Sequence, residues 1–357
     1  MNQARTTQHG VTIIELMIAM VLGLFLLAGV LTIFVSSKQA YRTNDALSRV
    51  QESGRFAMEF LSRDLRNAGL TGCANTDRIA NTLNNPGNWW SNFDQGALVG
   101  YAGNDGTFPA RAGFGTNPAD RIAGTDAFLV RGGRSTSYAI VAHNPAAASF
   151  QLSALNTIAP GSIIMVCDNR QASIFQVTNA NASNVTMVHN TGQETPGNCT
   201  QRLGFPAPAW PGSCGPQAGT LYAFGPDSSL VEFTASAYYI GASSQGGGRS
   251  LYRVTLNGGS PQTPQELVEG VHDMRLSYGL DTNGDRQLDG SYVGAATVTN
   301  WNNAVAARIN LLAISSEQQV TTTGGQTIAF AGANVAVPNN RLAQVFTSTI
   351  GLRNRLP

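Results

Sequence analysis

Charged residues are scarce in this 357-residue chain. Asp, Glu, Lys and Arg make up 12% of it, about half of the roughly 25% that is usual in soluble proteins. The 22 basic and 21 acidic residues leave a formal net charge of +1, which argues against a protein that grips nucleic acid electrostatically. Hydrophobic residues account for 42%. That share is enough for a core, so the composition excludes a wholly disordered protein.

The usual signatures of catalysis are also missing. The chain has no H-E-x-x-H motif, no G-x-S-x-G motif, no Walker phosphate loop and no G-x-G-x-x-G motif. His143, His189 and His272 lie far apart in the sequence, and we interpret each as an ordinary surface or core histidine. The sequence therefore predicts that the protein is not an enzyme.

One long apolar run dominates the N-terminus. From Leu16 to Val35 the chain has 20 consecutive residues without a charge, and a helix of that length spans about 30 Å, the thickness of a bilayer core. A secretory signal is cut after its apolar stretch, whereas the small residue Gly10 precedes this one. We therefore expect residues 11–35 to remain on the protein as a transmembrane helix.

Glu15 stands at the start of this apolar segment. An acid at membrane depth costs about 2.5–3.5 kcal/mol on insertion scales, so it is expected to have a partner. Cleavage after Gly10 would create a new α-amine on Val11, which can neutralise the carboxylate of its own or a neighbouring copy. The alternative is a plain, uncleaved membrane anchor.

The helix is predicted to continue beyond the membrane as an amphipathic segment over residues 36–69. Its apolar or small residues recur every three or four positions, as one stripe does on a helix face: Leu47, Val50, Gly54, Ala57, Leu61, Leu65 and Ala68. Asp45–Arg49 and Glu59–Arg63 are expected to form i,i+4 pairs on the solvated face, and Gly69 to end the helix. An unbroken helix over residues 11–68 would reach about 87 Å.

Residues 70–357 are predicted to form a β-rich head, which makes the chain α+β. Short apolar or alternating runs separated by Gly, Asn, Ser and Pro clusters favour strands, notably at 127–130, 162–166, 236–240, 250–256, 274–278 and 305–313. Thr263-Pro264-Gln265-Glu266 fits a capping box, so a short helix ending at Gly270 is expected. Residues 81–117 are expected to form surface loops.

Four cysteines lie in the head: Cys73, Cys167, Cys199 and Cys214. An even count in an oxidising compartment favours two disulfides. Of the three pairings we favour Cys199–Cys214, which leaves Cys73–Cys167. A zinc site is less favoured because C-x-x-C is absent and only His189 lies near Cys199. Free thiols are the remaining alternative.

One segment has the spacing of a metal site. Asp281, Asn283, Asp285 and Asp289 supply oxygen side chains at positions 1, 3, 5 and 9 of an EF-hand-like loop. Arg286 and Tyr292 replace the glycine and glutamate of a true EF-hand. Two interpretations remain: a weak calcium site, the one cofactor that the sequence suggests, or a turn whose side chains cap their own backbone.

The string Gly10-Val11-Thr12-Ile13-Ile14-Glu15-Leu16-Met17 resembles the type III leader junction of type IV prepilins. In that family the glycine precedes the peptidase cut, the new N-terminus is methylated, and the acid at mature position five docks on a neighbouring subunit. By this resemblance residues 1–10 are a leader, Val11 is the mature N-terminus and Glu15 is the docking residue. Val11 stands where the family usually has phenylalanine.

Three further segments, residues 54–69, 267–281 and 345–355, resemble the PilW-type minor pilins, and a variable middle, residues 74–262, separates them. The resemblance implies a low-abundance subunit of the type IV pilus. The subunit would be held in the bacterial inner membrane by a single span, with its head in the periplasm, before it enters the extracellular pilus. It would join a tip complex that primes assembly and supports adhesion or twitching motility.

The implied partners are other minor pilins, the major pilin, the prepilin peptidase, the inner-membrane assembly platform and a tip adhesin. One alternative is a minor pseudopilin of type II secretion, of the J type, which shares the leader and the helix. Another is a membrane-anchored adhesin or binding module that uses the variable region around Trp89 and Trp90.

Overall fold

The computed structural model describes residues 10–73, 78–181, 183–192, 195–246, 248–321 and 324–353. Within these ranges one α-helix is followed by seventeen β-strands and four single 3₁₀ turns. Parts of the sequence predictions fall outside the described residues: leader residues 1–9, residue 74 at the start of the variable middle, and Asn354 and Arg355 of the C-terminal family segment. The α+β class expected from the sequence is confirmed.

Helix α1 runs without interruption from Ile13 to Arg66. Its 54 residues correspond to about 81 Å. Asn67 caps the C-terminal end, and Gly69 follows with a φ of 74°, a left-handed conformation that glycine adopts without steric cost. The Gly69 backbone N–H donates to the Arg131 carbonyl at 2.8 Å, so the chain passes directly from the helix to the sheet.

Only the C-terminal half of α1 is packed. Its buried residues are Ala46, Val50, Gly54, Ala57, Leu61, Ser62 and Leu65. This is largely the predicted stripe, but Leu47 is 36% exposed and Ala46 is buried instead. Ser62 is buried in addition, and the predicted Ala68 is buried just beyond the end of the helix. The Asp45–Arg49 ion pair is present at 3.0 Å, whereas Arg63 pairs with Asp64 at 3.6 Å and not with Glu59.

Twelve strands form a large mixed sheet. They are β1 (Ile79–Asn81), β2 (Leu98–Tyr101), β3 (Ala127–Asn144), β4 (Ser149–Leu152), β5 (Ile163–Cys167), β6 (Ala172–Gln176), β7 (Asn179–Ala180), β8 (Thr186–Val188), β9 (Ser229–Ala242), β10 (Arg249–Asn257), β11 (Ser260–Pro261) and β12 (Gln265–Glu269). The strand order is β1-β6-β5-β9-β3-β4-β8-β7, and β2 pairs with β3 while β10 pairs with β9, β11 and β12. The long strands β3 and β9 pair antiparallel at its centre.

A second, three-stranded sheet has the order β13-β14-β17. Its strands are β13 (Val271–Leu280), β14 (Ala304–Ile314) and β17 (Ala343–Gly351), and a hairpin of β15 (Thr327–Phe330) and β16 (Ala333–Ala336) lies beside it. The main hydrophobic core lies between α1, this small sheet and part of the large sheet, and it includes Leu61, Phe128, Tyr238, Met274 and Ile309.

The helix predicted at residues 263–270 is wrong. Residues Gln265–Glu269 form strand β12, which pairs with β10. The Glu266 side chain does not cap a helix, because its carboxylate accepts hydrogen bonds from the Ser243 hydroxyl at 3.0 Å and the Tyr252 hydroxyl at 3.1 Å. Gly270 has a φ of 84° and connects β12 to β13. Tertiary partners therefore outweigh the local capping signal.

The expectation of surface loops across residues 81–117 is also wrong in part. Strand β2 lies in this segment and pairs with β3 of the large sheet. Trp90, Leu98 and Phe108 are each no more than 2% exposed. These side chains enter the core one at a time and do not form one continuous face of a helix or strand. The segment therefore lacks the helical or alternating spacing from which buried elements are predicted.

The structure contains the two disulfides that the sequence analysis favours, Cys73–Cys167 and Cys199–Cys214. The first joins the segment after α1 to β5 across 94 residues, and the second closes a loop across 15 residues. In the chain-entropy model these closures contribute about 4–5 and about 3 kcal/mol. Both therefore stabilise the head.

Candidate functional site

The start of α1 is built around Thr12 and Glu15. The Glu15 carboxylate accepts hydrogen bonds from the Thr12 backbone N–H at 3.0 Å and from the Thr12 hydroxyl at 3.1 Å, and the Glu15 N–H donates to the Thr12 hydroxyl oxygen at 3.3 Å. This reciprocal capping box determines where the helix begins. It also places the acid in the first turn, where the positive end of the helix dipole favours a negative charge.

The apolar half of α1 contacts nothing else in the described residues. Every Val, Leu, Ile, Met and Phe side chain from Val11 to Val35 is more than half exposed, and Phe25 reaches 81%. α1 is long and apolar enough to cross a membrane, and no residue of its most apolar stretch is buried against the rest of the described chain. The Thr32 hydroxyl donates to the Ala28 carbonyl at 2.8 Å, which satisfies the only polar side chain of the run. Such a surface requires a lipid or protein partner.

Gly10 and Val11 precede the helix and are exposed. A Cβ built on Gly10 would meet nothing within 4 Å, so packing does not require glycine at this position. The N-cap at Thr12 leaves the Gly10–Val11 peptide bond just outside the helix, in backbone that a peptidase can reach. These positions are compatible with the predicted cleavage, which stays a prediction.

A polar clamp holds α1 where it leaves the head. The Gln39 amide donates to the Val320 carbonyl at 2.6 Å, and the Thr43 hydroxyl donates to the same carbonyl at 3.0 Å. Arg42 donates to the Gln318 carbonyl at 3.2 Å. The helix projecting beyond this clamp, residues 13–38, is about 39 Å long. Sequence reasoning missed the clamp because its partners are some 280 residues apart.

Of the three glycines in α1, one has a packing role within this chain. A Cβ on Gly54 would lie 2.1 Å from the Phe346 Cε2 atom of β17, so the absence of a side chain allows the Phe346 ring to pack against the helix. A Cβ on Gly23 or Gly29 would meet nothing within 4 Å. Those two glycines lie in the exposed half of the helix, where they offer small surfaces to neighbouring helices.

The Asp281–Asp289 loop is exposed and closed by its own hydrogen bonds. The Asp289 carboxylate accepts from the Thr282 N–H at 2.7 Å, and the Asp281 carboxylate accepts from the Gly284 N–H at 2.7 Å. The Asn283 amide donates to carboxylate oxygens of both Asp285 and Asp289 at 3.3 Å. The described residues contain no group of three or more His, Cys, Asp or Glu side chains arranged to hold a metal. Calcium binding stays a prediction.

The fold brings His143 and His189 together, which the sequence did not reveal. Their Nε2 atoms are 3.1 Å apart, and the Phe224 N–H donates to His143 Nδ1 at 3.1 Å. Burial lowers the pKa of His143 to about 4 and that of His189 to about 3. Both rings are therefore neutral at neutral pH. In the core of the head, His143 stacks on Phe150 and the His189 ring packs against the same ring at a tilt, which indicates a structural role.

The two tryptophans of the variable region differ in accessibility. Trp90 is 2% exposed and packs against Phe233 with ring centroids 6.1 Å apart, whereas Trp89 is half-buried. The Trp90 ring is therefore part of the core and only Trp89 can contribute to a binding surface in this region, so the adhesin alternative stays a prediction.

Family comparisons match both ends of the chain. Residues 5–31 match the prokaryotic N-terminal methylation motif, and residues 237–354 match the type IV pilus-assembly protein W family. Together the two matches support a PilW-family type IV pilin. They also support a minor pilin of the type IV pilus that the exposed apolar half of α1 anchors in a membrane. The pilin family is structural and not enzymatic. The PilW match begins at residue 237, inside the segment that the sequence analysis treated as variable. Neither a curated protein nor a solved structure matches the chain.

Proposed function

We propose that this minor pilin joins the complex that primes pilus assembly at the tip, has no catalytic activity of its own, and supports adhesion or twitching motility. The observation that carries the proposal is Glu15, an acid in the first turn of α1, at the start of the exposed apolar half of this helix. Its hydrogen bonds in the described residues come only from Thr12. In a bundle of apolar helices a carboxylate needs a cationic partner, and the methylated α-amine of a neighbouring subunit supplies one.

The size of the head supports a place at the tip. The small sheet β13-β14-β17 lies against α1, while the twelve-stranded sheet adds most of the remaining mass. Within the pilus filament, the head of each subunit must fit between the heads of the subunits around it, whereas a subunit at the tip has neighbours on one side only. A bulky head is therefore better accommodated in a few terminal copies. The major pilin, other minor pilins, the inner-membrane platform and a tip adhesin are the proposed partners.

Processing by the prepilin peptidase is tested by the N-terminal mass of the protein from membranes. We expect a mature chain that begins at methylated Val11, and an unprocessed chain when Gly10→Trp blocks the cut. The packing of the mature protein does not use a side chain at residue 10, so the variant keeps its fold. An intact Met1 on the wild-type protein would overturn the prepilin assignment of this terminus.

Docking through Glu15 is tested in cells that lack the wild-type gene. Glu15→Ala should still be cleaved and inserted into the membrane, but should fail to co-purify with the other minor pilins and leave cells with few pili. Asp45→Ala, which removes a half-buried acid paired with Arg49 in the packed half of the helix, is the matched control and should restore wild-type piliation. Co-purification with secretion components instead of pilus components would support the pseudopilin alternative.

A further inference from the structure

One edge of the small sheet is open. β17 pairs with β14 in a regular register from Ala343 to Gly351, without a bulge. Because the hydrogen-bonding direction alternates along an antiparallel strand, and because the Leu352 N–H donates to Val305 of β14, the backbone groups of residues 345, 347, 349 and 351 point away from β14. Among the described residues, only the Ala343 end of this edge is closed, by the Gln326 side chain at 2.8 and 3.0 Å.

The opposite edge of the same sheet is covered by the chain itself. The Asp126 N–H donates to the Met274 carbonyl at 2.9 Å, and the Asp126 carboxylate accepts from the Leu276 N–H at 2.8 Å. Further along β13, Tyr278 and Val293 exchange two backbone hydrogen bonds, at 2.7 and 2.9 Å. The open edge is therefore a specific property of β17.

β17 also lacks the devices that protect edge strands. Natural sheets discourage pairing with other chains by placing charged residues, prolines or bulges along an edge. Residues 343–351 read A-Q-V-F-T-S-T-I-G, with no charge and no proline. A nine-residue edge of this kind is a template for strand addition.

A groove runs beside this edge, beneath the flank of α1. It has a volume of about 1240 Å³ and is lined by helix residues from Ser48 to Asn67 and by Gln344–Thr347 of β17. Met58 of α1 and Phe346 of β17 are only partly buried at this groove. A strand added to β17 would extend the sheet under α1 and cover both side chains.

The charges of the groove indicate the chemistry of its occupant. Its lining includes four arginines and two glutamates: Arg55, Arg63, Arg66, Arg353, Glu52 and Glu59. Of the arginines, Arg63 pairs with Asp64 at 3.6 Å, and the other three have no ion pair within the described residues. An added strand that carries carboxylates therefore gains three unpaired guanidinium partners.

We propose that β17 binds an extended, acidic segment of a different polypeptide, which adds a fourth strand to the small sheet. A second copy of this chain fits less well, because its own β17 carries no acid and its α1 repeats the same arginines. The surface lies on the head, so this proposal goes beyond the tip role and does not depend on Glu15.

The first test uses the full-length protein in detergent micelles and a labelled peptide of alternating threonine and glutamate. We expect this peptide to bind at least about tenfold more tightly than a threonine–lysine peptide of the same length, as charge complementarity requires. Methylating alternate backbone nitrogens of the peptide should weaken binding at least about tenfold, since strand addition depends on main-chain hydrogen bonds. The amides of Val345, Thr347 and Thr349 should exchange more slowly in the complex. Equal binding of the methylated peptide would overturn the proposal, and this test requires no variant of the protein.

Variants locate the site. Thr347→Pro removes an outward N–H and no backbone hydrogen bond to β14, a position at which edge strands tolerate proline, and should abolish binding. It also removes the Thr347 hydroxyl that donates to Asn310 of β14 at 2.8 Å, so Thr347→Val, which loses only this hydroxyl, is the control and should still bind. Arg55→Glu combined with Arg66→Glu should reverse the preference between the two peptides. Arg49→Glu, on the flank of α1 that faces Leu267 and Ile314, is the matched control and should leave the affinity unchanged. An equal loss of peptide affinity in the Arg49→Glu variant would refute an acidic partner at this groove. A wild-type dimer in sedimentation experiments that Thr347→Pro disrupts would also refute it.

Discussion

Leu24 and Leu61 belong to the same uninterrupted helix, yet Leu24 is 66% exposed and Leu61 is fully buried. The first half of α1 is apolar around its whole circumference and contacts no other described part of the chain. The second half is apolar on one side only, and this side packs against the small sheet. A helix that is apolar all round requires an apolar solvent or other helices, whereas an amphipathic one finds its partner within the same chain. One helix therefore serves two environments, with the change near the clamp at Gln39 and Thr43.

The largest difference in stability is expected between two variants that each shorten one leucine, one in each half of α1. Leu61→Ala should lower the free energy of unfolding of the head by about 2–5 kcal/mol, because it leaves a cavity in a packed core. Leu24→Ala removes a side chain that contacts nothing in the head, so unfolding should be unchanged. Denaturant unfolding in detergent micelles, followed by circular dichroism, measures both. Equal losses in the two variants would show that the halves are not distinct.

Glycine substitutions sharpen the same comparison. Gly54→Ala places a Cβ within 2.1 Å of the Phe346 ring and should destabilise the head by about 1–3 kcal/mol through overpacking. Gly29→Ala has open space and should be neutral or stabilise the helix by up to about 1 kcal/mol. Thermal unfolding of both variants provides the measurement. Adding Phe346→Leu to Gly54→Ala should recover part of the loss, and strictly additive effects would argue against the contact.

Acid should weaken the head and leave the exposed half of the helix intact. Burial lowers the pKa values of His143, His189 and His272 to about 4, 3 and 4. The unfolded chain therefore takes up protons on these histidines at a higher pH than the folded chain does. The stability that the neutral histidines contribute is fully present above about pH 6.5 and falls as the pH decreases towards 4. Asp273 acts in the opposite direction, because burial raises its pKa to about 6 and its contribution is lost as the pH rises towards that value.

Burial also raises the pKa of Asp126. The three histidines outnumber these two acids, so a net loss of stability in acid is expected. Melting temperatures measured from pH 7.5 down to pH 4 test this sign. His189→Phe, which keeps an aromatic ring without a titrating group, should flatten the profile. A melting temperature that is independent of pH would contradict the expectation.

The smallest effect concerns the exposed Asp281–Asp289 loop. If the loop binds calcium with the weak affinity of extracellular sites, a tenfold excess over the dissociation constant stabilises the head by about 1.4 kcal/mol. We therefore expect calcium at about 10 mM to raise the melting temperature by about 2 °C, and Asp285→Ala to abolish the rise. Magnesium is the control ion. No shift with calcium would leave the loop as a turn that caps its own backbone.

Local sequence signals predicted the parts of the fold that depend on local physics. The apolar run, the stripe on α1 and the strands around residues 236–240 and 305–313 carry a periodicity that follows from backbone geometry alone. Residues 263–270 show where local reasoning fails. Their capping signal is genuine, but four polar partners of Glu266 and the pairing with β10 favour a strand.

For the candidate site, the residues were readable from the sequence and their surroundings were not. Gly10, Val11 and Glu15 were singled out by their spacing, because the leader motif is a short linear segment, and their roles in cleavage and docking stay predictions. The clamp between Gln39 and Val320, the His143–His189 contact and the open edge of β17 join or depend on residues far apart in the chain. Nothing in the sequence near any of them marks these arrangements.

The sequence by itself indicated a membrane-anchored pilin with a β-rich head, since hydrophobicity, helical period and the leader junction are properties of contiguous residues. It also favoured the correct disulfides among three pairings. Only the tertiary structure decided which half of α1 is buried against the small sheet, which polar groups hold it there, and which sheet edge has no partner within the described chain. These depend on the register and order of strands, which arise from packing between distant segments and not from the residues of any one strand.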